Sequence, residues 1–146
     1  RCDVEVVKCE NYTHQSRYEL PIAPSPNLPT QHSIYLYPST CLFEGTVCSL
    51  GRGTDFPFEC YGHPQYKGAE FSFTPQSRAG AKNPPLKDQK CYGVDLRGVD
   101  DEAVIAQGFN LEYVIDAYRN LAMGEQFFTR MFLLLTGVDY VKAPEH

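Results

Sequence analysis

The sequence predicts an α+β domain, a small mixed sheet formed by short strands and followed by two C-terminal helices. Three observations support this class. Segments with strand character occupy the earlier part of the chain, segments with helical spacing follow, and no repeated strand–helix–strand rhythm joins them. At 146 residues the chain lies within the range of one domain. We therefore treat 1–146 as a single lobe.

The strand signal recurs along the chain. The sequence C-D-V-E-V-V-K-C at 2–9 interleaves charged residues with valines, as expected of a half-buried strand. The segment S-I-Y-L-Y at 33–37 is predicted as a strand that breaks at Pro38. F-S-F-T at 71–74 and K-C-Y-G-V-D-L at 90–96 alternate again, and the candidate inward positions of the last segment are Cys91, Val94 and Leu96.

Proline-rich connectors lie between these strands. The run P-I-A-P-S-P-N-L-P-T at 21–30 excludes a helix or a central strand and favours extended polyproline geometry. It is either a stiff connector into the strand at 33–37 or a rigid wall beside a cleft, with the Asn27 side chain pointing into that cleft. We predict a loop at 59–65, with His63 before a proline, and a long turn at 80–89.

The end of the chain is predicted to be helical. Asn110 is a plausible N-cap, and Gly124 closes the first helix. A second helix is predicted over 125–136 and ends at Gly137. The apolar positions with helical spacing in the first helix are Leu111, Val114, Ile115, Tyr118 and Leu121 or Ala122.

Composition excludes several functional classes. A net charge of -5 with scattered Lys and Arg argues against a nucleic-acid binder. No apolar run approaches the roughly 20 residues of a membrane-spanning helix. The sequence contains no nucleophile elbow, Walker loop or H-E-x-x-H motif. The chain starts at Arg1 without an initiator Met, and we expect it to be one lobe of a larger protein.

Six cysteines are too sparse for a disulfide scaffold, and no C-x-x-C spacing supports a zinc site. They are either buried free thiols or, in an exported protein, members of one or two disulfides.

A glycine-rich polar stretch at 33–58 is the candidate functional region. Glu44 lies between Phe43 and Gly45, an acid next to an aromatic ring, which is the setting in which a general acid works near neutral pH. Arg52 and Asp55 suit recognition of a carboxylate or of sugar hydroxyls. The aromatic residues that could pack against sugar rings are Tyr35, Tyr37, Phe56 and Phe58.

A structural role for these charges is the alternative. Glu44, Arg52 and Asp55 could form an ion-pair network that ties down a loop, because buried charges are normally paired. The histidines His14, His32 and His63 are more typical of surface or loop positions than of catalytic bases.

Several segments, in order and spacing, resemble the C-terminal lobe of the NamZ-type exo-β-N-acetylmuramidases, a family long known as a domain of unknown function. They are P-S-P-N-L-P at 24–29, Y-L-Y-P-S at 35–39, L-F-E-G-T at 42–46, G-R-G-T-D-x-P-F at 51–58, F-T-P at 73–75 and the helix at 108–118. The resemblance covers essentially the whole chain and favours a functional site over a structural network.

The resemblance implies a two-lobed glycoside hydrolase that releases N-acetylmuramic acid from the non-reducing ends of peptidoglycan fragments. Its first lobe, absent here, is Rossmann-like and holds the principal candidate acid, so the isolated lobe is expected to be inactive. The expected partners are a muramic-acid-containing glycan and that missing domain, with no cofactor, metal, nucleic acid or membrane span. Export to the periplasm or cell envelope is expected.

The candidate site residues follow from the motifs and the resemblance. Glu44 is the candidate catalytic residue. The candidate substrate-binding residues are Arg52, Thr54, Asp55, Asn27, Tyr37 and His63. Two other functions use the same surface: a non-catalytic carbohydrate-binding module, and a lobe for interdomain or protein contact.

Overall fold

The computed structural model describes residues 2–137, and Arg1 and 138–146 lie outside the described part. The α+β class is confirmed, since this part of the chain contains a three-stranded sheet and four α-helices. The elements are α1 (Gln31–Thr40), a 3-10 helix (Cys41–Gly45), β1 (Cys60–His63), β2 (Phe71–Phe73), β3 (Cys91–Asp95), α2 (Asp101–Gln107), α3 (Glu112–Leu121), a second 3-10 helix (Gly124–Phe127) and α4 (Arg130–Thr136).

The sheet has the order β1-β3-β2, and both pairings are antiparallel where a mixed sheet was expected. The strands predicted at 71–74 and 90–96 are β2 and β3. At the centre, Gly62 of β1 faces Gly93 of β3. A Cβ on Gly93 would lie 2.0 Å from the carbonyl oxygen of Tyr61, so this close approach requires glycine.

A single main core joins the sheet to the helices. Phe43, Phe58, Tyr61 and Phe127 are almost completely buried, and the rings of Phe43 and Tyr61 stack with centroids 4.5 Å apart. Fully burying such a side chain contributes roughly 1.5–3 kcal/mol. Phe43 directly precedes Glu44, so this packing fixes the backbone from which the Glu44 side chain leaves.

The prediction of a strand at 33–37 is wrong, because these residues lie within α1. Thr30 caps the helix: its side chain accepts from the backbone N–H of Ser33, and the Ser33 hydroxyl faces the backbone N–H of Thr30. This reciprocal capping outweighs the strand character of the sequence. Pro38 is tolerated inside the helix, where it removes one backbone donor.

Other boundaries also differ from the prediction. The segment at 2–9 forms no strand, and its valines are exposed. The predicted loop at 59–65 contains β1, because its backbone pairs with β3. The helix after Asn110 is α3, whose N-cap is Leu111 and not Asn110 and whose C-cap is Ala122, before the predicted end at Gly124. The Asn110 side chain nevertheless accepts from the backbone N–H of Glu112. The second predicted helix is divided into a 3-10 helix and α4, which ends at Gly137 with φ +73°.

All six cysteines lie in the described part and are free. Cys48, Cys60 and Cys91 are buried, as predicted for thiols used as small apolar residues, whereas Cys2 and Cys9 are exposed. Burial raises the pKa of Cys48 to about 12 and that of Cys91 to about 11. The buried thiols therefore remain protonated and are poor nucleophiles.

His32 connects α1 to the start of α2. Its Nδ1 lies 2.5 Å from a carboxylate oxygen of Asp101, and its Nε2 lies 2.9 Å from the carbonyl oxygen of Leu96. Both partners accept hydrogen bonds, so the doubly protonated ring satisfies both. Burial lowers the pKa of His32, but the hydrogen bonds to Asp101 and Leu96 and the Asp101 charge outweigh burial and raise that pKa overall.

We expect His32→Gln to destabilise the fold more in acid than in base. Because the pKa of His32 is raised in the folded state, the protonated ring stabilises the fold. This stabilisation is complete below about pH 6.5, the ordinary pKa of histidine, and is lost as pH rises through the folded-state pKa. His32→Gln should therefore lower the free energy of unfolding by on the order of 1 kcal/mol at about pH 5.5 and by less at about pH 8.5. Urea unfolding at both pH values measures it, with exposed His14→Gln as control. An equal loss at both pH values would contradict the prediction.

Candidate functional site

Glu44 and Arg52 form an ion pair at the edge of a cavity. Glu44 lies in the 3-10 helix that follows α1, and Arg52 lies in the glycine-rich loop at 51–58. Nη2 of Arg52 donates to Oε1 of Glu44. The Arg52 side chain is 29% exposed and the Glu44 side chain is 31% exposed, so both reach solvent at the mouth of the cavity.

Aromatic rings support this ion pair. The Arg52 guanidinium lies over the Phe58 ring, 4.9 Å from its centroid, and the Tyr37 ring lies 5.3 Å from the same ring. Phe58 has φ +64°, a conformation that costs a non-glycine residue about 1–3 kcal/mol and that occurs preferentially at functional sites. Burial and the nearby Glu44 charge raise the pKa of Tyr37, so its hydroxyl remains a proton donor.

The cavity itself has a volume of about 230 Å³. Its walls are mainly apolar, and they bring together residues from the 3-10 helix, the loop at 46–52 and α4. Glu44 is the sole carboxylate among its described lining residues. The other members of the lining are Phe43, Thr46, Cys48, Leu50, Arg52, Pro85, Met131 and Leu135.

A second, more open groove lies on the other part of the same loop. Its volume is about 460 Å³, within the range of about 300–1,000 Å³ typical of ligand sites. Asp55 and Arg78 form a bidentate ion pair in it: Nη1 of Arg78 donates to Oδ1, and Nη2 lies 3.2 Å from Oδ2. The remaining lining residues are Pro26, Pro29, Thr54, Pro57 and Ala79. We call it the Asp55–Arg78 groove.

The loop backbone separates the two sites. The N–H of Thr54 donates to the carbonyl of Gly51 at 2.9 Å, which closes a turn around Arg52 and Gly53. Gly53 has φ +84°, and its carbonyl accepts from the N–H of Gln76 at 2.9 Å. Arg52 therefore faces the cavity and Asp55 the groove, with Gly53 held against a neighbouring segment between them.

The predicted network of Glu44, Arg52 and Asp55 is thus divided. Glu44 pairs with Arg52, but Asp55 pairs with Arg78. Tyr37 lies beside the first pair, and Thr54 lines the groove of the second. The structure therefore brings together Glu44, Arg52 and Tyr37, and separately Thr54 and Asp55.

Asn27 and His63 lie apart from both ion pairs. Asn27 is buried, and its amide donates to the carbonyl of Gly80 at 3.1 Å, so it supports the groove wall instead of pointing into open space. His63 ends β1 and lines neither site. Its Nδ1 accepts from the N–H of Gln65 at 3.2 Å, and burial lowers its pKa.

Sequence reasoning missed Arg78 and the part of the cavity wall that α4 supplies. Arg78 follows Asp55 by 23 positions in the chain, and no local pattern marks their pairing. Met131 and Leu135 are four residues apart on α4, a spacing that predicts side chains facing a core. That prediction is wrong, since they are 47% and 43% exposed and line the cavity. Only the tertiary fold supplies these contacts.

Within residues 2–137, no group of three or more His, Cys, Asp or Glu side chains is arranged to hold a metal ion. No helix in this range has both the length and the apolar character needed to cross a bilayer.

Comparison with known proteins gives consistent similarities. Residues 35–143 match the family model described as exo-beta-N-acetylmuramidase NamZ, C-terminal. The peptidoglycan beta-N-acetylmuramidase NamZ of Bacillus subtilis (strain 168) is 37% identical over 113 residues, which cover 67% of this chain and 27% of that protein. A crystal structure of a DUF1343 family protein from Bacteroides fragilis NCTC 9343 is 58% identical, with a TM-score of 0.89 over 96% of this chain and 40% of that chain.

Proposed function

Because this chain belongs to the family of NamZ C-terminal domains, we propose that it is the substrate-binding lobe of an exo-acting glycoside hydrolase. The proposed reaction releases N-acetylmuramic acid from the non-reducing ends of peptidoglycan fragments. The Bacillus relative is named a peptidoglycan beta-N-acetylmuramidase, and the matching family model is described as an exo-beta-N-acetylmuramidase. The chain spans 27% of that relative, and we expect the complete activity to require more than these residues. The observation that carries the proposal is the Arg52–Glu44 pair over Phe58 at an apolar cavity.

Arg52 is suited to the carboxylate that distinguishes muramic acid from neutral amino sugars. Within the described chain, Glu44 is the one hydrogen-bond and ion-pair partner of Arg52, and that bond uses Nη2. A guanidinium has five N–H donors, so several remain for the lactyl carboxylate of the substrate. The Phe58 ring holds the guanidinium plane in place, which reduces the ordering cost of binding.

The aromatic rings beside Arg52 supply a surface for the sugar. Tyr37 is 38% exposed and lies against Phe58, so its ring can contact the apolar face of a pyranose while its hydroxyl donates a hydrogen bond. The apolar cavity walls favour the lactyl methyl group or the N-acetyl methyl group. This combination matches an N-acetylated sugar that carries a carboxylate.

Glu44 is proposed to orient Arg52 and not to act as the principal acid. It accepts a hydrogen bond from Arg52, whereas an acid that protonates the leaving oxygen must donate one. Glycoside hydrolysis generally needs two carboxyl groups, or one assisted by the substrate N-acetyl group. We therefore expect the principal acid in a Rossmann-like N-terminal lobe of the full-length protein, and we expect that protein to be exported.

A chromogenic muramic acid β-glycoside tests this function. The full-length protein should release the chromophore, and it should prefer this glycoside to the corresponding N-acetylglucosaminide. The 146-residue chain alone should release none. Binding of muramic acid without turnover by the full-length protein would instead support a non-catalytic carbohydrate-binding module, and turnover by the chain alone would place the principal acid within it.

Glu44→Gln in the full-length protein should mainly weaken substrate binding. Loss of one charged partner frees Arg52 to adopt other rotamers, which should raise KM roughly tenfold for about 1.4 kcal/mol of lost binding while kcat changes less. Steady-state kinetics on the chromogenic glycoside measures both parameters. Glu102→Gln, which removes an exposed ion pair with Arg17 elsewhere, is the matched control. A large fall in kcat at unchanged KM would instead assign Glu44 a catalytic role.

A further inference from the structure

The segment at 2–9 has the sequence of a strand but no strand partner within the described chain. We propose that it is an edge strand in the sheet of the preceding lobe, so that the chain passes from one lobe to the other between residues 9 and 17. The proposal rests on the function proposed above, because that function requires a preceding lobe to hold the principal acid. Its basis is the exposure of the segment, its sequence pattern and the place where bonding to the present lobe begins.

The valines of the segment form an uncovered apolar surface. Every residue from 2 to 9 is exposed. The four most exposed large apolar side chains of the described chain are Val7 (89%), Ile22 (80%), Val4 (77%) and Val6 (74%), and three of them lie in this one segment. Single exposed apolar side chains are ordinary, but a contiguous set of them marks an interaction surface. The segment is therefore expected to be covered in the full-length protein.

The backbone of the segment is unpaired as well. Within residues 2–137, no hydrogen bond joins an N–H or C=O group of 2–9 to another residue. A row of free donors and acceptors is a template onto which another strand pairs. The β-branched valines favour the extended conformation that such pairing needs. Strand pairing would satisfy the backbone and bury the valines in one step.

The alternation within the segment predicts an edge strand and not a central one. In a strand, Val4 and Val6 share one face, while Asp3 and Glu5 share the other face with Val7. A central strand of a parallel sheet is covered on both faces and is almost continuously apolar. Carboxylates on one face are typical of an edge strand, where they also block pairing with further strands. The segment thus fits the border of a sheet, with a partner on one side.

Bonding to the present lobe begins only after the segment. Within the described chain, Arg17 is the first residue to bond the helices, and its side chain donates to Glu102 of α2. The N–H of Leu20 then donates to Oε1 of Gln31 in α1 at 3.0 Å. The match to the family model of the C-terminal domain starts later still, at residue 35. The segment at 2–9 therefore precedes both the bonded part of this lobe and the family match.

The preceding lobe is a better partner than a second copy of the chain. The chain covers 40% of the similar Bacteroides chain and 27% of the Bacillus relative, so more than half of each relative lies outside the match. A lobe joined covalently to the segment has an effective concentration of roughly millimolar. In dilute solution it therefore outcompetes a second copy for the same strand.

This arrangement leaves a short connection between the lobes. With 2–9 held in one lobe and Arg17 bonded to the other, only the residues at 10–16 link them, and these seven residues span at most about 25 Å. A connection of this length keeps the two lobes close together. It would hold an acid of the preceding lobe near the face of this lobe without a long flexible linker.

Residue-resolved hydrogen exchange of the full-length protein tests the proposal. An edge strand bonds its partner through every second amide, so alternate amides between 3 and 8 should exchange roughly 100-fold more slowly than in a free peptide of the same sequence. The intervening amides should exchange at close to the rate of the peptide. Protection of none of these amides would show an unpaired segment, and protection of all of them a central strand. Either result overturns the proposal.

Two substitutions in the full-length protein compare the faces of the segment. Val6→Lys places a charge on the covered face and should lower the thermal unfolding midpoint by roughly 5 °C. Glu5→Lys adds a lysine at the neighbouring position, on the face assigned to solvent, and should leave the midpoint within about 1 °C of the wild type. Equal shifts for the two variants would contradict the assignment of the faces.

The outcomes separate the strand assignment from the proposed function. Alternate protection in a full-length protein that does not cleave the muramic acid glycoside supports the strand, although the function fails. Cleavage by a protein that shows no protection supports the function and overturns the strand. Light scattering identifies a second copy as partner: protection that is lost when a dimer is diluted to the monomer overturns the assignment to the preceding lobe.

Discussion

Arg52→Gln is expected to lower kcat/KM for a muramic acid glycoside by about 100-fold in the full-length protein. Two losses act in the same direction. The substrate carboxylate loses charge-assisted hydrogen bonds that are worth about 1.5–3 kcal/mol. Glu44, 31% exposed beside an apolar cavity, loses its partner and then repels the carboxylate of the ligand. Steady-state kinetics on the chromogenic glycoside measures the change.

Two comparisons identify the cause of that loss. Arg52→Lys keeps the charge but offers a compact ammonium that cannot serve Glu44 and the ligand in the same fixed geometry, so it should recover only part of the activity. Arg97→Gln is the matched control, because Arg97 also combines a carboxylate partner, Asp95, with an aromatic ring, 4.3 Å from the Phe56 centroid. An equal loss on a neutral N-acetylglucosaminide would show that Arg52 does not recognise the carboxylate.

The sequence predicted the elements whose apolar pattern is regular. β2 alternates apolar and polar residues, β3 buries Cys91 and Gly93 on one face, and α3 buries Val114, Ala117 and Leu121 at helical spacing. The pattern fails at α1, which buries Ser33, Leu36, Ser39 and Thr40. Most of these are small hydroxyl residues, which apolar periodicity cannot detect. The hydroxyls of Ser33 and Thr40 donate locally, as in the 3.0 Å bond from Thr40 to the carbonyl of Leu36. The Ser39 hydroxyl instead accepts a tertiary hydrogen bond from the backbone N–H of Asn110.

The candidate site was predictable in part for a similar reason. Glu44 and Arg52 are eight residues apart and meet because the chain between them turns back through buried residues, and the motifs marked both. Asp55 was marked as well, but its partner Arg78 was not, because the pairing depends on how the segment at 75–81 crosses the loop. Local patterns identified the polar residues, and tertiary packing decided their partners.

Gly53→Ala is expected to lower the thermal unfolding midpoint by about 10 °C, from a loss of about 3 kcal/mol. The residue has φ +84°, which disfavours any side chain. In addition, a Cβ would lie 2.4 Å from the carbonyl oxygen of Gln76 and 2.7 Å from Cγ of Pro84. The loop can relieve this clash only by moving away from that segment, which displaces Arg52 and Asp55 together.

Gly68→Ala isolates the contribution of the clash. Gly68 has a similar φ of +73°, but beyond its chain neighbours no atom lies within 4 Å of the position that an alanine methyl group would occupy. Gly68→Ala should therefore lower the free energy of unfolding only through the unfavourable backbone conformation, by about 1 kcal/mol. Differential scanning calorimetry gives the difference between the unfolding midpoints of the two variants. The kinetic assay on the chromogenic muramic acid glycoside should show a lower kcat/KM for Gly53→Ala alone. Equal midpoints for the two variants would mean that the contact between the loop and the segment at 76–84 does not hold the two sites in register.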